Sequence, residues 1–328
     1  MKNYKKFLGL LSLSLLSSFY FSLPLKAVNP GIYAYVVNKN SKDVSVINTK
    51  NNLVVKTINV GSSPTYLTSD PSGHFVYVSN KGSDNISVID TINDVVIDTI
   101  KVGNSPRELD ITPDGSILYV ANALDNTVSI IDTHTNKVIA TTPVGIRPVS
   151  LAVSPLGDKV YVANLAKNNI SVINTANSTV GLNISLADGS LPVDISFDRV
   201  GRYAYAVNQG LNRVSVIDSY SNKVKSNFHV GINPKSIVFS TVSPRAFIIN
   251  SGNQTVSVVD TLSENVITNV AVEDPQDAAI HPFGISLYVT NGDKNTVSLI
   301  NTATNKITTK IHVGSSPHSI KIVSVPKK

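Results

Sequence analysis

Seven chemically capable residues recur beside prolines at nearly regular intervals along the chain: Arg107, Glu108, Arg147, Asp194, Lys235, Asp277 and His318. Brought together, such a set holds a polar or anionic small molecule by charge-assisted hydrogen bonds. His318 is the one candidate general base, beside Asp277 or Glu108, because an imidazole next to a carboxylate suits that role. The other reading of these charges is that they are solvated loop residues paired between neighbouring units, the commoner fate of exposed charge. The remaining histidines are scattered: His74 and His281 in one class of turn, His134 in another, and His229 and His312 at one shared repeat position. No H-x-H or H-E-x-x-H spacing suggests zinc, and neither a G-x-S-x-G elbow nor a phosphate loop is present. A second acidic group, Asp188, Glu273 and Asp274, falls where the repeat breaks. Clustered carboxylates suit Ca²⁺, but no calcium-loop motif accompanies them, and drift of the repeat is the simpler account. The expectation is no cofactor, no metal site and no assigned catalytic residue.

These residues must be positioned by a repeated element. Asparagines at Asn38, Asn80, Asn122, Asn164, Asn208, Asn250 and Asn291 are spaced by 42, 42, 42, 44, 42 and 41 residues, each with Tyr or Phe three places before it. A β-branched run follows each one, as in ISVIDT or VSIIDT. Short runs rich in Val, Ile and Thr between Asn, Asp, Gly and Pro clusters are strands, and a repeat of this length with several strands is a propeller blade. In the third unit four strands are expected over Arg107–Thr112, Ile117–Asn122, Thr127–Asp132 and Lys137–Pro143. Each repeated V-G-x-x-P glycine is expected to permit a sharp turn, each proline to fix φ, and each signature asparagine to bond its own turn backbone. Asp132 is expected to accept local backbone N–H bonds.

The first unit starts at a second strand, GIYAYVVN, and the chain finishes on a lone first strand, HSIKIV. The fold predicted is therefore all-β, a seven-bladed β-propeller of four-stranded antiparallel blades, with the C-terminal strand joining the N-terminal blade. Closure of that kind removes two exposed sheet edges.

The units resemble the YVTN family of β-propeller repeats. The signature stands as YVTN at Tyr288–Asn291, YVAN at Tyr119 and Tyr161, and YVSN at Tyr77, and the wider pattern runs from Tyr33 to about Val323. The resemblance implies an exported propeller at the periplasm or cell surface. The wider group of similar propellers includes binding scaffolds, lactone hydrolases, a streptogramin lyase, cofactor-bearing redox subunits and some exported proteins linked to DNA, so fold alone carries no activity.

Residues 1–27 have a basic start, an apolar run from Phe7 to about Leu25 and a small residue at Ala27. This is the layout of a cleaved secretory signal peptide. An uncleaved anchor is the alternative, disfavoured by five serines and Pro24 in the run. Four of the 28 basic residues (Lys2, Lys5, Lys6, Lys26) precede Val28, leaving 24 against 22 acids over residues 28–328. A general nucleic-acid-binding surface is thus not indicated on charge grounds, and four Lys in the leader account for most of the basic pI. With no cysteine, disulfides, thiol catalysis and thiolate metal sites are excluded. The expected role is a secreted, periplasmic or cell-surface, non-catalytic binding scaffold for a protein, cell-wall component or small ligand, with no membrane span after cleavage. The alternative is a lactonase-like hydrolase or lyase acting at the channel mouth.

Overall fold

The computed structural model describes residues 31–326, and the leader expected over 1–27 lies outside them. Twenty-eight strands, numbered in chain order, form seven four-stranded antiparallel sheets arranged as a ring. Six blades are built from consecutive strands. Their innermost strands are β4 (Pro64–Ser69), β8 (Pro106–Ile111), β12 (Pro148–Val153), β16 (Pro192–Phe197), β20 (Pro234–Phe239) and β24 (Pro275–Ile280). The remaining blade has the order β28-β1-β2-β3, in which β28 (Pro317–Val325) pairs antiparallel with β1 (Gly31–Asn38), followed by β2 (Asp43–Asn48) and β3 (Leu53–Asn59). The predicted closure is observed, and the third unit's strands fall within one residue of their expected bounds. Among the described residues no helix is long and apolar enough to cross a membrane.

The two middle strands of every blade are buried on both faces, whereas the outermost strand is exposed along most of its length. Seven apolar clusters result, each filling the gap between two adjacent blades. One joins Tyr77, Ile86 and Val88 to Leu109, Leu118 and Val120 across the second and third blades. At about 1.5–3 kcal/mol for each fully buried Val, Leu or Ile, this packing is what holds the ring.

The repeated polar residues work both within blades and between them. The signature asparagines are fully buried, and each side-chain Nδ2 donates to a hydroxyl seven residues on: Asn122 to Ser129 Oγ at 2.9 Å, Asn164 to Ser171 Oγ at 2.9 Å and Asn291 to Ser298 Oγ at 2.7 Å. They do not bond their own turn backbone as expected. They tie the second strand to the third. The V-G-x-x-P glycines also serve a different purpose. A Cβ on Gly145 would lie 2.5 Å from the Asn164 amide, and one on Gly61 2.5 Å from that of Asn80, so the glycine lets the incoming loop press on the next blade's asparagine. The positive φ falls instead on the residue before each proline, as at Ser105 (57°) and Arg147 (58°). That turn is held by its amide, which Ser105 donates to Asp84 and Arg147 to Asn126 of the preceding blade, each at 2.8 Å. Asp132 accepts the amides of His134 and Thr135, as expected.

The signature tyrosines reach one blade further. Tyr35 donates to Asp94 Oδ1 at 3.3 Å, Tyr288 to Asn52 Oδ1 at 3.2 Å and Tyr161 to Asn222, each acceptor in the outer turn of the next blade. The sixth blade carries Phe247 at this position, and the equivalent acceptor, Asn305 Oδ1, is buried without a partner. Phe247→Tyr should therefore raise the unfolding free energy by about 0.5–1.5 kcal/mol, read from the midpoint of urea denaturation at unchanged slope.

Candidate functional site

The seven inner strands enclose a central channel of about 800 Å³. At its mouth the loops leading into inner strands meet those joining second to third strands, since Ser105 and Arg147 line it together with Lys81, Leu124, Leu165 and Gln209. The structure places all seven sequence-selected residues on this wall. Arg107 and Glu108 come from β8, Asp194 from β16, Lys235 from β20, Asp277 from β24, His318 from β28, and Arg147 from the loop entering β12.

Each inner strand starts with a bulge. In β4, Pro64 pairs with Asn80 and Tyr66 with Ser79; in β16, Pro192 pairs with Asn208 and Asp194 with Val207. A bulge shifts the alternation of side chains and re-aims them, so the residues that follow each proline turn toward the channel.

The third residues of the inner strands form a belt around it, one per blade: Tyr66, Glu108, Ser150, Asp194, Ser236, Asp277 and Ser319. Ser150 Oγ donates to Asp194 Oδ1 at 3.1 Å, and the Ile237 amide of the next blade donates to Asp194 Oδ2 at 2.8 Å. Ser319 Oγ donates to Asp277 Oδ2 at 2.8 Å, with Ser236 on the other side of that carboxyl. One level deeper, Asp110 takes the Val153 amide at 3.0 Å, and the Lys321 charge, two blades away on β28, draws on the same carboxyl. The sequence-selected set leaves out the serines and Tyr66, although they stand just after the same prolines, and it does not reach Asp110, Lys321 or Lys81. The signal for the belt was available as the third residue counted from each repeated proline; Asp110 and Lys321 share the fifth place.

None of the seven residues is in an ion pair; the five ion pairs among the described residues lie elsewhere. Pairing between blades is therefore not what the structure shows; Arg147 is exposed, as a solvated loop residue would be, and the other six are at least half-buried. Lys235 Nζ donates to Gln276 Oε1, and Arg107 lies over the Tyr66 ring at 5.8 Å. Burial dominates the electrostatics. It raises Glu108 well above the ordinary carboxyl range, helped by the Asp194 charge. It lifts Asp194 to about 7, against the pull of the Ile237 amide. Asp277 and Asp110 are raised for the same reason, while Lys235 is lowered by burial.

His318 does not stand in hydrogen-bond contact with Asp277 or Glu108. Its ring meets Tyr66 edge-on at 5.3 Å, and its Nδ1 is buried without a partner. Burial, then the Arg107 and Lys235 charges, drive its pKa down to about 3, so at neutral pH it is an uncharged acceptor and a feeble base. Among the described residues no group of three or more His, Asp and Glu is arranged to hold a metal ion. Of the acidic residues at the repeat breaks, Glu273 pairs with Lys310 at 2.9 Å and Asp274 accepts the Asp293 amide at 2.6 Å, and neither lines the channel.

A model of the YNCE-like beta-propeller matches residues 66–269, well over half of the chain. The chain belongs to that family. No curated protein matches it by sequence. Among solved structures, a functionally unknown protein from Desulfotomaculum acetoxidans superposes with a TM-score of 0.80 at 17% identity, covering 89% of this chain and 99% of that one. A protein assigned as a 6-phosphogluconolactonase from Bacteroides fragilis gives 0.77 at 18% identity, covering 90% and 99%. The hydrazine synthase of Kuenenia stuttgartiensis gives 0.74 at 21% identity, covering 79% and 89%. At these identities the likeness is one of fold.

The depressed pKa of His318 sets a direction for stability. The unfolded ring binds a proton below about 6.5 and the folded one only near 3, so this group lowers stability progressively as pH falls from 6.5 toward 3 and has no effect above. In a ¹⁵N titration His318 should stay neutral down to pH 4.5; a midpoint above 6 would show the ring in contact with bulk solvent.

Proposed function

We propose that the protein is a non-catalytic binding propeller whose channel mouth takes a small, polar, anionic ligand. The observation that carries this reading is a set of cations without a carboxylate partner. Arg107, Lys235, Lys81 and Arg147 line the mouth, none is in an ion pair, and Arg107 Nε is buried with no acceptor. Cations crowded at one mouth repel one another: Lys81 is lowered by partial burial and then by the Arg107, Lys39 and Arg147 charges. An anion relieves that repulsion. Preorganisation supports the same reading, because the strands and proline turns that carry these groups are fixed by inter-blade hydrogen bonds, and rigid sites lose less freedom on binding.

A thermal-shift panel of small carboxylates, phosphates, sulfate and lactones tests the proposal. A ligand at a hundred times its dissociation constant adds about 2.7 kcal/mol of stability. Arg107→Ala and Lys235→Ala should each weaken the stabilising anion by about tenfold, roughly 1.4 kcal/mol. Equal binding by wild type and both variants would remove this face from the reading. The second reading, a hydrolase or lyase acting at the same mouth, draws on the unpartnered His318 Nδ1 beside the raised Glu108 carboxyl. The lactones in the panel separate the two, since an enzyme consumes them and a binding protein returns them intact.

The leader-like residues 1–27 support a binding function outside the cytoplasm, at the periplasm or surface, where a protein or cell-wall component is an alternative occupant of the same face. Export predicts that the mature protein recovered from the extracytoplasmic fraction begins at or next to Val28. A chain recovered intact from Met1 in the cytosol would exclude it.

A further inference from the structure

Three polar atoms in the channel wall are buried and have no partner in the chain: Arg107 Nε, Glu108 Oε2 and His318 Nδ1. They lie on β8 and β28, the inner strands on either side of β4, and Tyr66 of β4 stands between them. Elsewhere in the belt the corresponding oxygens are satisfied, those of Asp194 by Ser150 and Ile237 and Asp277 Oδ2 by Ser319 and Ile320. A buried polar atom left unpaired costs about 1–3 kcal/mol. Three of them in one sector of an open cavity call for a molecule that supplies the missing partners.

The bulge of β8 explains how consecutive residues share one sector. Pro106 pairs with Asn122 and Leu109 with Val120, so Arg107 and Glu108 together oppose only Ala121. In a regular strand their side chains would point to opposite faces; here both line the channel. Glu108 is faced by Tyr66 from β4 and by Arg107 and Asp110 of its own strand, and Ser150 of β12, with Arg147 at that strand's head, hydrogen-bonds its carboxyl, leaving Oε2 unpartnered. Asp194 of β16, Lys235 of β20, Asp277 of β24, and His318 and Lys321 of β28 complete its surroundings. Burial, then the neighbouring Asp194 charge, push the Glu108 carboxyl well above the ordinary carboxylate range and so favour its protonated form. In that form it is a hydrogen-bond donor that shares the sector with a guanidinium and with the unpartnered imidazole Nδ1 of His318.

We propose that this sector is a subsite for a small carboxylic acid bearing a neighbouring hydroxyl or amino group. The ligand carboxylate sits against Arg107 and accepts a hydrogen bond from the Glu108 carboxyl, while its hydroxyl or amino group donates to His318 Nδ1. A carboxylate offers two oxygens to a guanidinium fork and an adjacent acid. Its single charge also suits a site with Asp194 and Asp277 close behind, where a phosphate dianion would meet more repulsion. The inference rests on the anion-binding reading above and adds the ligand class, the role of Glu108 and a sign for pH. Raising the pH through the Glu108 transition removes the donor and places a negative charge beside the ligand, so affinity falls as pH rises.

Isothermal titration of the purified protein with lactate, acetate and inorganic phosphate, at about pH 6 and about pH 8.5, tests it. Wild type should bind lactate more tightly than acetate, and both more tightly than phosphate. Carboxylate affinity should fall between the two pH values, by up to about one decade for each pH unit above the Glu108 transition. Glu108→Gln keeps an N–H donor that does not titrate, so its affinity should change less than about threefold over the same range. Proton uptake on binding by wild type at the higher pH, read from heats in buffers of different ionisation enthalpy, checks the linkage without a variant. A pH dependence unchanged in Glu108→Gln, or equal wild-type affinity at both pH values, overturns the proposal. Equal affinity for lactate and acetate removes His318 from the subsite. Arg107-dependent binding of phosphate without any carboxylate leaves the anion site standing and overturns this assignment. Failure of every anion to bind overturns both.

Discussion

Everything in this molecule depends on the burial of two-faced sheets against one another. The middle strands of each blade are apolar on both sides, so no blade is stable alone and each needs a neighbour on either face. A linear stack would leave two apolar faces and two sheet edges open. The pairing of β28 with β1 closes the ring and makes the blade at the junction depend on residues from both ends of the chain. Because the apolar contacts run between adjacent blades, stability is close to a sum of seven similar interfaces. The polar repeats do the same work at finer scale, through the asparagine amides inside each blade and the Tyr hydroxyls between them.

That constraint also makes the channel. Inner strands packed in a ring leave a central cavity, and the bulge after each proline presents side chains to it. The loops entering the inner strands hold a positive φ at the residue before proline. They are secured by amides bonded to the preceding blade, so the mouth is rigid. Charged groups fixed there are removed from much of the solvent. Burial then shifts the acids up and the histidine and Lys235 down. The shifts are consequences of the ring, since no local sequence motif produces them.

Seven near-identical blades divide the residues into two kinds. Those that recur at the same place, such as Asn122, Asn164, Gly145 and Tyr161, serve packing. Those that differ from blade to blade at an equivalent place, such as Arg107, Lys235 and His318, are released from that duty. Their conspicuous variety at one mouth, together with buried polar atoms that the fold leaves unpartnered, is the physical basis for locating binding there.

The sequence by itself determined the blade count, the four-strand unit, the closing strand and the candidate mouth residues. Each of these follows from periodicity, and periodicity is visible one residue at a time. It misassigned the signature asparagines and the V-G-x-x-P glycines, because close approach between Gly145 and the Asn164 amide is a contact between blades that no turn rule contains. It likewise left the serines of the belt out of the candidate set. Ser150 looks inert in the chain, yet it bridges to a carboxyl 44 residues away. Only the tertiary structure decided which charges are buried, which remain unpaired, and that His318 lies against Tyr66 and out of hydrogen-bond contact with the carboxylates. Those outcomes depend on the distances and dielectric that exist once seven blades close around a common axis.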